Sequence, residues 1–309
     1  MKEGGVILIA RREMKRLVCF LCLVLAMAMP LCAQQRHAVV IGIGDYPENS
    51  GWKKIHGDAD IEIVCAMLSE NGFEPQDIKV LKNRDADKAA IAKVFADLAA
   101  DVQSGDWVYV HFSGHGQQVS DLDGDEADGW DEAIIPYDAC REYKAGVYEG
   151  ENHIIDDELN QWLMPIADKI GQEGCLLVVL DACHSGDGTR AEDEEEDTVR
   201  ETDIRGTADK FEYAGFDPDL ASPKTPRKTN WIALSACKPY QSNYEYWDGS
   251  RYVGRLTYAL AQHFRIGVPV CDLLNDIEIT YDTLPLRRNT VQNLNADIPE
   301  RMRDKLIFK

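Results

Sequence analysis

The amino-acid sequence predicts an α/β protein in which a mainly parallel β-sheet is covered by helices on both faces. Short and almost entirely apolar runs alternate along the chain with longer segments of helical periodicity. Runs that are apolar throughout are typical of strands buried on both faces, and intervening helices provide the crossovers that parallel strands need. The chain has 309 residues, of which 45% are hydrophobic. This composition excludes a disordered chain, and the length allows one large domain with a full core.

The elements follow one another in the order that this architecture requires. A helix N-cap at Asp85 or Asp87 and a glycine at position 105 bound the second helical segment. We expect strands at His37–Ile43, Ile78–Leu81, Trp107–Phe112, Leu176–Leu180 and Trp231–Ser235. We expect helices at Ala59–Glu70, Ala86–Val102, Asp157–Lys169, Gly254–Phe264 and Asp272–Thr283.

The amino terminus has the pattern of a secretory signal. Lys15 and Arg16 precede an apolar run, Leu17–Met29, and small residues follow up to Ala33. The run is shorter than the ~20 residues that a membrane-spanning helix needs. We therefore predict a signal peptide over 1–33, with Met14 as an alternative start, and a mature domain over 34–309. The protein is expected to be exported, either to a periplasm or out of the cell, with no membrane attachment after signal removal.

The charge balance narrows the classes of partner. The chain has 33 Lys and Arg residues against 54 Asp and Glu residues, a net charge of −21. Nucleic acids and anionic lipid surfaces attract basic proteins, so neither is an expected partner. A cationic ligand, such as a metal ion or a basic peptide, suits this charge better.

A polar segment interrupts the alternation of strands and helices at 187–229. It contains an acidic run, Glu192–Asp197, and a set of basic residues, and little of it is apolar. We interpret it as a mobile linker that divides the domain into a larger and a smaller part. The basic residues are Arg190, Arg200, Arg205, Lys210, Lys224, Arg227 and Lys228.

Two of the predicted strands are followed by residues that can take part in catalysis. His115 follows the strand Trp107–Phe112, and Cys183 follows Leu176–Leu180. Reactive groups of parallel sheets gather at the carboxyl ends of the strands, and a cysteine nucleophile needs a neighbouring base. We predict a catalytic pair of Cys183 and His115, with the backbone amides of Gly116 and Cys183 as the oxyanion hole. A cysteine or a histidine alone in such a place is more often structural, and the pairing favours catalysis.

The motifs around these residues resemble those of the metacaspases, cysteine peptidases of the caspase clan and peptidase family C14. Three blocks carry most of the resemblance, which extends over nearly all of Arg36–Lys309. They are Tyr109-Val-His-Phe-Ser-Gly-His-Gly116, the acidic block Asp121–Glu132, and Asp181-Ala-Cys-His-Ser-Gly186. The resemblance implies a caspase–hemoglobinase fold, a three-layer sandwich, and cleavage of peptide bonds after Arg or Lys.

The resemblance also implies an acidic pocket for the basic side chain of the substrate. The matching residues are Asp60, Ser113 and Asp181. The segment Gly57-Asp-Ala-Asp60 is one residue shorter than the usual family text, so Asp58 is an alternative to Asp60. Paired carboxylates hold a guanidinium by charge-assisted hydrogen bonds. The structural alternative is that Asp58 or Asp60 caps the following helix.

A calcium site is the second feature that the resemblance implies. The matching residues are Asp131, Asp156 and Asp157, joined by Asp187 or Asp193. Calcium would act as an activator, since the chemistry itself requires no cofactor. The spacing of Asp121–Glu132 imitates an EF-hand, but Glu126 stands where that loop needs glycine. Alternatively, Asp156 and Asp157 only cap the following helix.

The sequence therefore predicts an exported, monomeric cysteine endopeptidase that acts on peptides and proteins at Arg or Lys and cuts its own linker. Two alternatives remain: a caspase-fold binding or scaffold protein with weak catalysis, and another Cys-His hydrolase or transpeptidase. No H-E-x-x-H zinc motif and no G-x-S-x-G serine motif occurs in the sequence.

Overall fold

A computed structural model describes residues 34–124, 126, 128–183, 204–207, 209–214, 230–286 and 290–309. The predicted signal peptide lies outside the described residues, as does most of the predicted linker. Residues Gln35–Lys309 form one compact unit. No helix in the described part of the chain is both long enough and apolar enough to cross a membrane.

Six strands form the central sheet: β1 (Arg36–Gly42), β2 (Ile78–Lys82), β3 (Trp107–Ser113), β7 (Cys175–Asp181), β8 (Ile232–Ser235) and β11 (Asn295–Asp297). Their order across the sheet is β2-β1-β3-β7-β8-β11. The four pairings from β2 through β8 are parallel, and only β11 runs antiparallel to its neighbour. The mainly parallel sheet that the sequence predicts is therefore confirmed.

Helices cover both faces of this sheet, and each face has its own hydrophobic core. The helices are α1 (Gly57–Glu70), α2 (Lys88–Asp101), α3 (Asp156–Ile170), α4 (Arg255–His263) and α5 (Val270–Thr283). One core joins α2 and α3 to side chains such as Val39 of β1, and the other joins α1, α4 and α5 to side chains such as Val40. Successive strand residues point to opposite faces, so one strand contributes to both cores. The result is the expected three-layer sandwich.

Two small sheets were not predicted, and both stand beside the carboxyl ends of the central strands. One contains β4 (Gly116–Ser120), β5 (Trp130–Ile134) and β6 (Ile154–Ile155), and the other contains β9 (Glu245–Trp247) and β10 (Tyr252–Gly254). These strands are short and mix polar with apolar residues. Their hydrophobic pattern is therefore too weak to distinguish them from loops.

The cap of α2 resolves one alternative from the sequence. Asp87 precedes the helix and accepts a hydrogen bond from the Ala90 amide at 2.7 Å, so Asp87 rather than Asp85 is the N-cap. The six cysteines of the predicted mature chain are all free thiols, which excludes a disulfide scaffold among the described residues.

Candidate active site

The predicted catalytic residues follow two adjacent strands. β3 and β7 pair in parallel, with Ser113 opposite Asp181 in the register. His115 and Cys183 each come two residues later, so both lie beyond the same edge of the sheet. Both side chains are buried, with 2% and 1% of their surface exposed.

Aromatic rings and two backbone contacts hold His115 in place. Its ring stacks on Trp52 at a centroid distance of 4.8 Å and contacts Tyr46 at 5.0 Å. The Tyr46 hydroxyl accepts a hydrogen bond from the His115 amide, and His115 Nε2 lies 2.8 Å from the carbonyl oxygen of Lys53. A carbonyl only accepts, so Nε2 carries the proton and Nδ1 remains a free base. Nδ1 is buried and has no hydrogen-bond partner among the described residues.

Burial also keeps His115 neutral. It lowers the pKa of His115 to about 4, against the opposing effects of the Lys53 carbonyl and Glu245. An imidazole with this pKa is uncharged near neutral pH and can accept a proton. The sequence did not predict the contributions of Tyr46 and Trp52.

Cys183 presents both its thiol and its amide to other parts of the site. The thiol donates to the carbonyl oxygen of Gln241 at 3.3 Å. The amide donates to the carbonyl oxygen of Arg205 at 2.7 Å. This second bond has the geometry of an oxyanion-hole contact, because a carbonyl lies directly at the amide of the candidate nucleophile. Within the described residues, no corresponding bond links the Gly116 amide to this carbonyl, so the role of Gly116 stays a prediction.

The two predicted pocket carboxylates converge below this carbonyl. Asp60 and Asp181 are both completely buried. Thr257 bridges them, because its hydroxyl lies 3.2 Å from Asp60 Oδ2 and 2.7 Å from Asp181 Oδ2. The Ser113 hydroxyl donates to Asp60, and Asn243 Nδ2 donates to Asp181 at 2.8 Å. All three predicted pocket residues therefore come together, and Thr257 and Asn243 complete the pocket.

The other aspartate of this segment does not enter the pocket. Asp58 accepts from Asn83 and pairs with Lys82 at the surface. Neither Asp58 nor Asp60 caps α1, since His56 occupies that position without a side-chain cap bond. The alternatives that gave Asp58 the pocket role, or gave either residue a capping role, are therefore wrong.

Arg205 of the same chain fills the pocket. Its Nη1 lies 2.8 Å from Asp60 Oδ2, 3.0 Å from Ser113 Oγ and 3.5 Å from Asp181 Oδ1. Its side chain has no exposed surface. The sequence predicts that Arg205 lies in a mobile linker. At Arg205 this prediction is wrong, because the side chain is buried among the carboxylates of the pocket.

Glu245 is a third carboxylate of the pocket, and the sequence did not predict it. Its Oε1 accepts from Arg205 Nε at 3.2 Å and from the His56 amide at 2.7 Å. Its Oε2 lies 2.6 Å from His56 Nδ1. This hydrogen bond is the main cause of a raised pKa of His56. Glu245 lies on the short strand β9, far along the chain from the other two carboxylates, so no local spacing connects it with them.

The ion pairs with Arg205 decide the charge state of the pocket. Burial by itself raises the pKa of Asp181, but Arg205 and the hydrogen bonds from Asn243 and Thr257 outweigh burial and lower it. Asp181 is therefore ionised when a cation occupies the pocket. For Asp60, burial dominates and raises the pKa, even though Arg205 opposes this effect.

The backbone of Ile204 and Arg205 pairs with residues 243–244 like an added strand. The Arg205 amide donates to the carbonyl oxygen of Asn243 at 2.9 Å, and Ile204 forms an antiparallel bridge with Tyr244. Gly206, at a φ of 155°, packs directly on the candidate nucleophile. A Cβ at this glycine would lie 2.8 Å from Cys183 Cβ and 3.1 Å from the Gly116 carbonyl oxygen. The Arg205–Gly206 peptide bond thus lies against Cys183.

The residues predicted for calcium lie apart from this pocket. The pairing of β5 with β6 brings the strand that holds Asp131 alongside the start of α3, where Asp156 and Asp157 lie. However, no three acidic, His or Cys side chains in the described parts of the chain are placed to hold one metal ion. Asp187 and Asp193, the further predicted ligands, lie outside the described residues. The Asp121 carboxylate accepts from the amides of Asp123, Gly124 and Glu126, as in an ordinary polar turn.

Comparisons with known proteins agree with the fold. A family model described as the caspase domain matches residues 35–280. The chain therefore belongs to the caspase-domain family C14, a family of cysteine-type endopeptidases.

The relatives are metacaspases. The chain is 32% identical over 163 residues to Metacaspase-1A of Aspergillus niger and 33% identical over 164 residues to Metacaspase-1A of Neurospora crassa. Each alignment covers 50% of this chain, but only 37% and 33% of the relatives' own length. A crystal structure of a Geobacter sulfurreducens protein matches with a TM-score of 0.57 and 20% identity over 89% of this chain and 98% of that one. This last similarity shows the fold alone.

Proposed function

We propose that this protein is a cysteine endopeptidase that cuts peptide bonds after Arg, and more slowly after Lys, through Cys183 and His115. One observation carries the proposal: Arg205 fills an acidic pocket while its own carbonyl oxygen accepts from the Cys183 amide. A basic side chain and the adjoining peptide bond are thereby recognised together. The metacaspase relatives support the same class of reaction.

The chemistry follows from the geometry. Cys183 Sγ attacks the carbonyl carbon, and its proton passes to Nδ1 of the neutral His115, which the Lys53 carbonyl orients through Nε2. The Cys183 amide, with the Gly116 amide as the predicted second donor, stabilises the negative charge on the oxygen. His115 then returns the proton to the leaving amine, which departs and leaves a thioester on Cys183. Water activated by His115 hydrolyses that thioester.

The pocket favours Arg over Lys for a stereochemical reason. Asp60, Ser113 and Asp181 contact the far end of the guanidinium, whereas Glu245 contacts Nε. A lysine side chain carries one ammonium group and has no donor at the position of Nε, so it gains nothing from Glu245.

The same geometry localises the proposed self-cleavage. Of the basic residues in the predicted linker, Arg205 lies in the pocket with its carbonyl at Cys183, so we propose that the protein cuts its own chain between Arg205 and Gly206. The uncut chain would then be a blocked precursor, because its own backbone covers the nucleophile.

Reporter peptides test the endopeptidase activity. Peptides that end in Ile-Arg, Ile-Lys or Ile-Gln before a fluorogenic amine are incubated with wild type, Cys183→Ala and Cys271→Ala. The Cys271 thiol is exposed, unlike the buried Cys183 thiol. We expect turnover in the order Arg, Lys, Gln for wild type and Cys271→Ala, and none for Cys183→Ala. Undiminished turnover by Cys183→Ala contradicts the mechanism. The absence of turnover by a folded wild type favours a binding or scaffold protein.

Intact-mass measurement tests the cleavage site. Wild type and Arg205→Lys should both yield a fragment that begins at Gly206, whereas Arg205→Gln and Cys183→Ala should stay uncut at this bond. Lys210→Gln is the control, since Lys210 does not enter the pocket and instead lies over the Trp130 ring. A wild-type fragment that begins after another basic residue and also appears in the Arg205→Gln protein, with none that begins at Gly206, would refute the assignment.

Export, calcium activation and a monomeric state are further parts of the proposal. The signal pattern of Met14–Ala33 supports export, and an amino terminus near Gln34 in the exported protein would test it. The resemblance supports calcium activation, since β5, which holds Asp131, pairs with the strand that leads into Asp156 and Asp157. A calcium titration of reporter turnover, with Asp157→Asn as the comparison, tests this part. A sizing experiment tests the monomeric state.

A further inference from the structure

The chain that follows the proposed cut is paired with the fold as an additional strand. Phe211 forms a parallel bridge with Val119 of β4, its amide donates to the Gln118 carbonyl at 2.9 Å, and its carbonyl accepts from the Ser120 amide at 3.0 Å. On either side, Gln117 Nε2 donates to the Asp209 carbonyl at 2.9 Å, and the Tyr213 amide donates to Ser120 Oγ at 3.3 Å. Residues 209–213 are therefore tied to β4 along their length.

The side chain of Phe211 anchors this strand. It is 1% exposed and belongs to the core that α2 and α3 share. Four rings surround it at centroid distances of 4.5–6.0 Å. These are the rings of Tyr143, Tyr148, His153 and Tyr213. Taking a phenylalanine ring out of such a packed site is unfavourable, so the strand does not leave readily.

The buried Phe211 ring would hold the amine that cleavage creates close to Cys183. Cleavage at Arg205 would create a new amino terminus at Gly206, which packs on Cys183 and lies five residues before the buried ring. A nucleophile held in this way acts at a high effective concentration, which reaches ~10⁵ M or more in well-oriented systems. The amine therefore competes with water for the thioester.

We propose that Gly206, Thr207 and residues 209–214 form a tethered leaving group: Phe211 keeps them docked after the cut, and the Gly206 amine can attack the thioester on Cys183. In this step the nitrogen forms an amide bond with the acyl carbon, the carbon–sulfur bond breaks, and the amine proton passes through His115 to the Cys183 sulfur. Because Cys183 can also re-form the thioester from the Arg205 carboxylic acid with release of water, the cut is reversible, and self-cleavage ends at an equilibrium of cut and intact chains. The same amine can accept an acyl group from another Arg peptide. This inference rests on the proposed function.

The first test measures how far self-cleavage proceeds. Purified wild type is incubated until its intact-mass profile stops changing, alongside Phe211→Ala and the control Phe73→Ala. Phe73 is equally buried but belongs to the core on the opposite face. We expect wild type and Phe73→Ala to stop at the same mixture, and Phe211→Ala to reach a ratio of cut to intact chain at least ~10-fold higher. Equal plateaus for wild type and Phe211→Ala would overturn the proposal.

The second test needs only the wild-type chain, so it remains decisive if Phe211→Ala does not fold. Cut protein is supplied with an acetyl-Ile-Arg methyl ester, and the fragment that begins at Gly206 is weighed. We expect this fragment to gain the mass of acetyl-Ile-Arg, and no gain in Cys183→Ala that has been cut at the same bond by an added Arg-specific protease. Hydrolysis of the ester without any gain in fragment mass defeats the tethered leaving group but leaves the endopeptidase intact. If the ester is not consumed and the chain is not cut, the proposed function itself fails.

Discussion

The two sides of the Arg205–Gly206 bond are held by different forces. Before the bond, Arg205 lies among Asp60, Asp181 and Glu245, and charge-assisted hydrogen bonds dominate. After the bond, Phe211 lies among aromatic rings and pairs with β4 through its backbone. Both side chains are completely or almost completely buried.

Because of this difference, one side of the bond can select the residue that is cleaved, and the other side can keep the cleaved segment bound. Buried charges are costly to leave unpaired, so a pocket of carboxylates discriminates strongly between a cationic side chain and a neutral one. Packing and backbone pairing hold a segment tightly with less dependence on its other side chains. We therefore expect the acidic side to decide which bond is cut and the aromatic side to decide what remains bound afterwards.

The largest expected effect is on the acidic side. Asp181→Asn should lower kcat/KM for Arg peptides by about 100-fold or more, because a buried, hydrogen-bonded charge pair loses one partner. Steady-state kinetics with the Ile-Arg reporter measures it. Asp58→Asn is the matched control, since Asp58 lies at the surface and pairs with Lys82. If both variants lose activity equally, the pocket does not select by charge.

The aromatic side should affect stability instead. Phe211→Ala should lower the free energy of unfolding by about 3–5 kcal/mol, because it removes a buried ring from the core. Denaturant titration of the uncut Cys183→Ala background measures this without interference from cleavage. The ratio of Arg to Lys turnover in the active enzyme should stay unchanged. A change in that ratio would show that the two sides are coupled.

Within the acidic side, Glu245 should affect Arg peptides more than Lys peptides. Glu245→Gln should reduce kcat/KM for Arg peptides by about 10-fold, the size expected when one hydrogen bond to a charged group is weakened. Lys peptides should be affected less, because Glu245 contacts Nε, which lysine lacks. Parallel assays of the two reporters measure this difference. Equal losses for Arg and Lys would indicate that Glu245 acts only through the general charge of the pocket.

The smallest expected effect concerns pH. Glu245 raises the pKa of His56 above its ordinary value of 6.5 in the folded protein, so the pair stabilises the fold fully below pH 6.5. This contribution is lost as the pH rises through the raised pKa. Because His56 is partly exposed, we expect it to be below about 1 kcal/mol. Denaturant titrations of Cys183→Ala with and without His56→Gln should differ most at acid pH and converge at alkaline pH, and a constant difference would contradict this origin.

Much of the fold could be predicted from local pattern. The five apolar runs and five periodic segments correspond to five strands of the central sheet and to the five helices, with ends that differ by a few residues. β11 and the two small sheets could not be predicted, since their short strands mix polar with apolar residues and carry little hydrophobic periodicity. β4 begins directly after His115 and β9 contains Glu245, so these unpredicted strands contribute to the candidate site.

The candidate site likewise contains residues that could be predicted from the sequence and residues that could not. His115, Cys183, Asp60, Ser113 and Asp181 could be predicted because each follows or belongs to a recognisable block. Glu245, Asn243 and Thr257 could not, because they lie in segments without a distinctive spacing. The docking of Arg205 and Phe211 was missed because a segment rich in charge is typical of a solvated linker. The burial of both residues is decided by partners elsewhere in the chain.

The sequence by itself determined the sheet, the helices and the pair of motifs that places this chain among caspase-like proteins, since hydrophobic period and short motifs act over neighbouring residues. Tertiary structure alone decided that three carboxylates from distant segments meet around one guanidinium, and that a single peptide bond of the chain lies against Cys183. The physical reason is that these features depend on desolvation and pairing between segments far apart in the chain. The strong negative charge of the sequence indicated a cationic ligand, and the fold shows that one such ligand belongs to the chain itself.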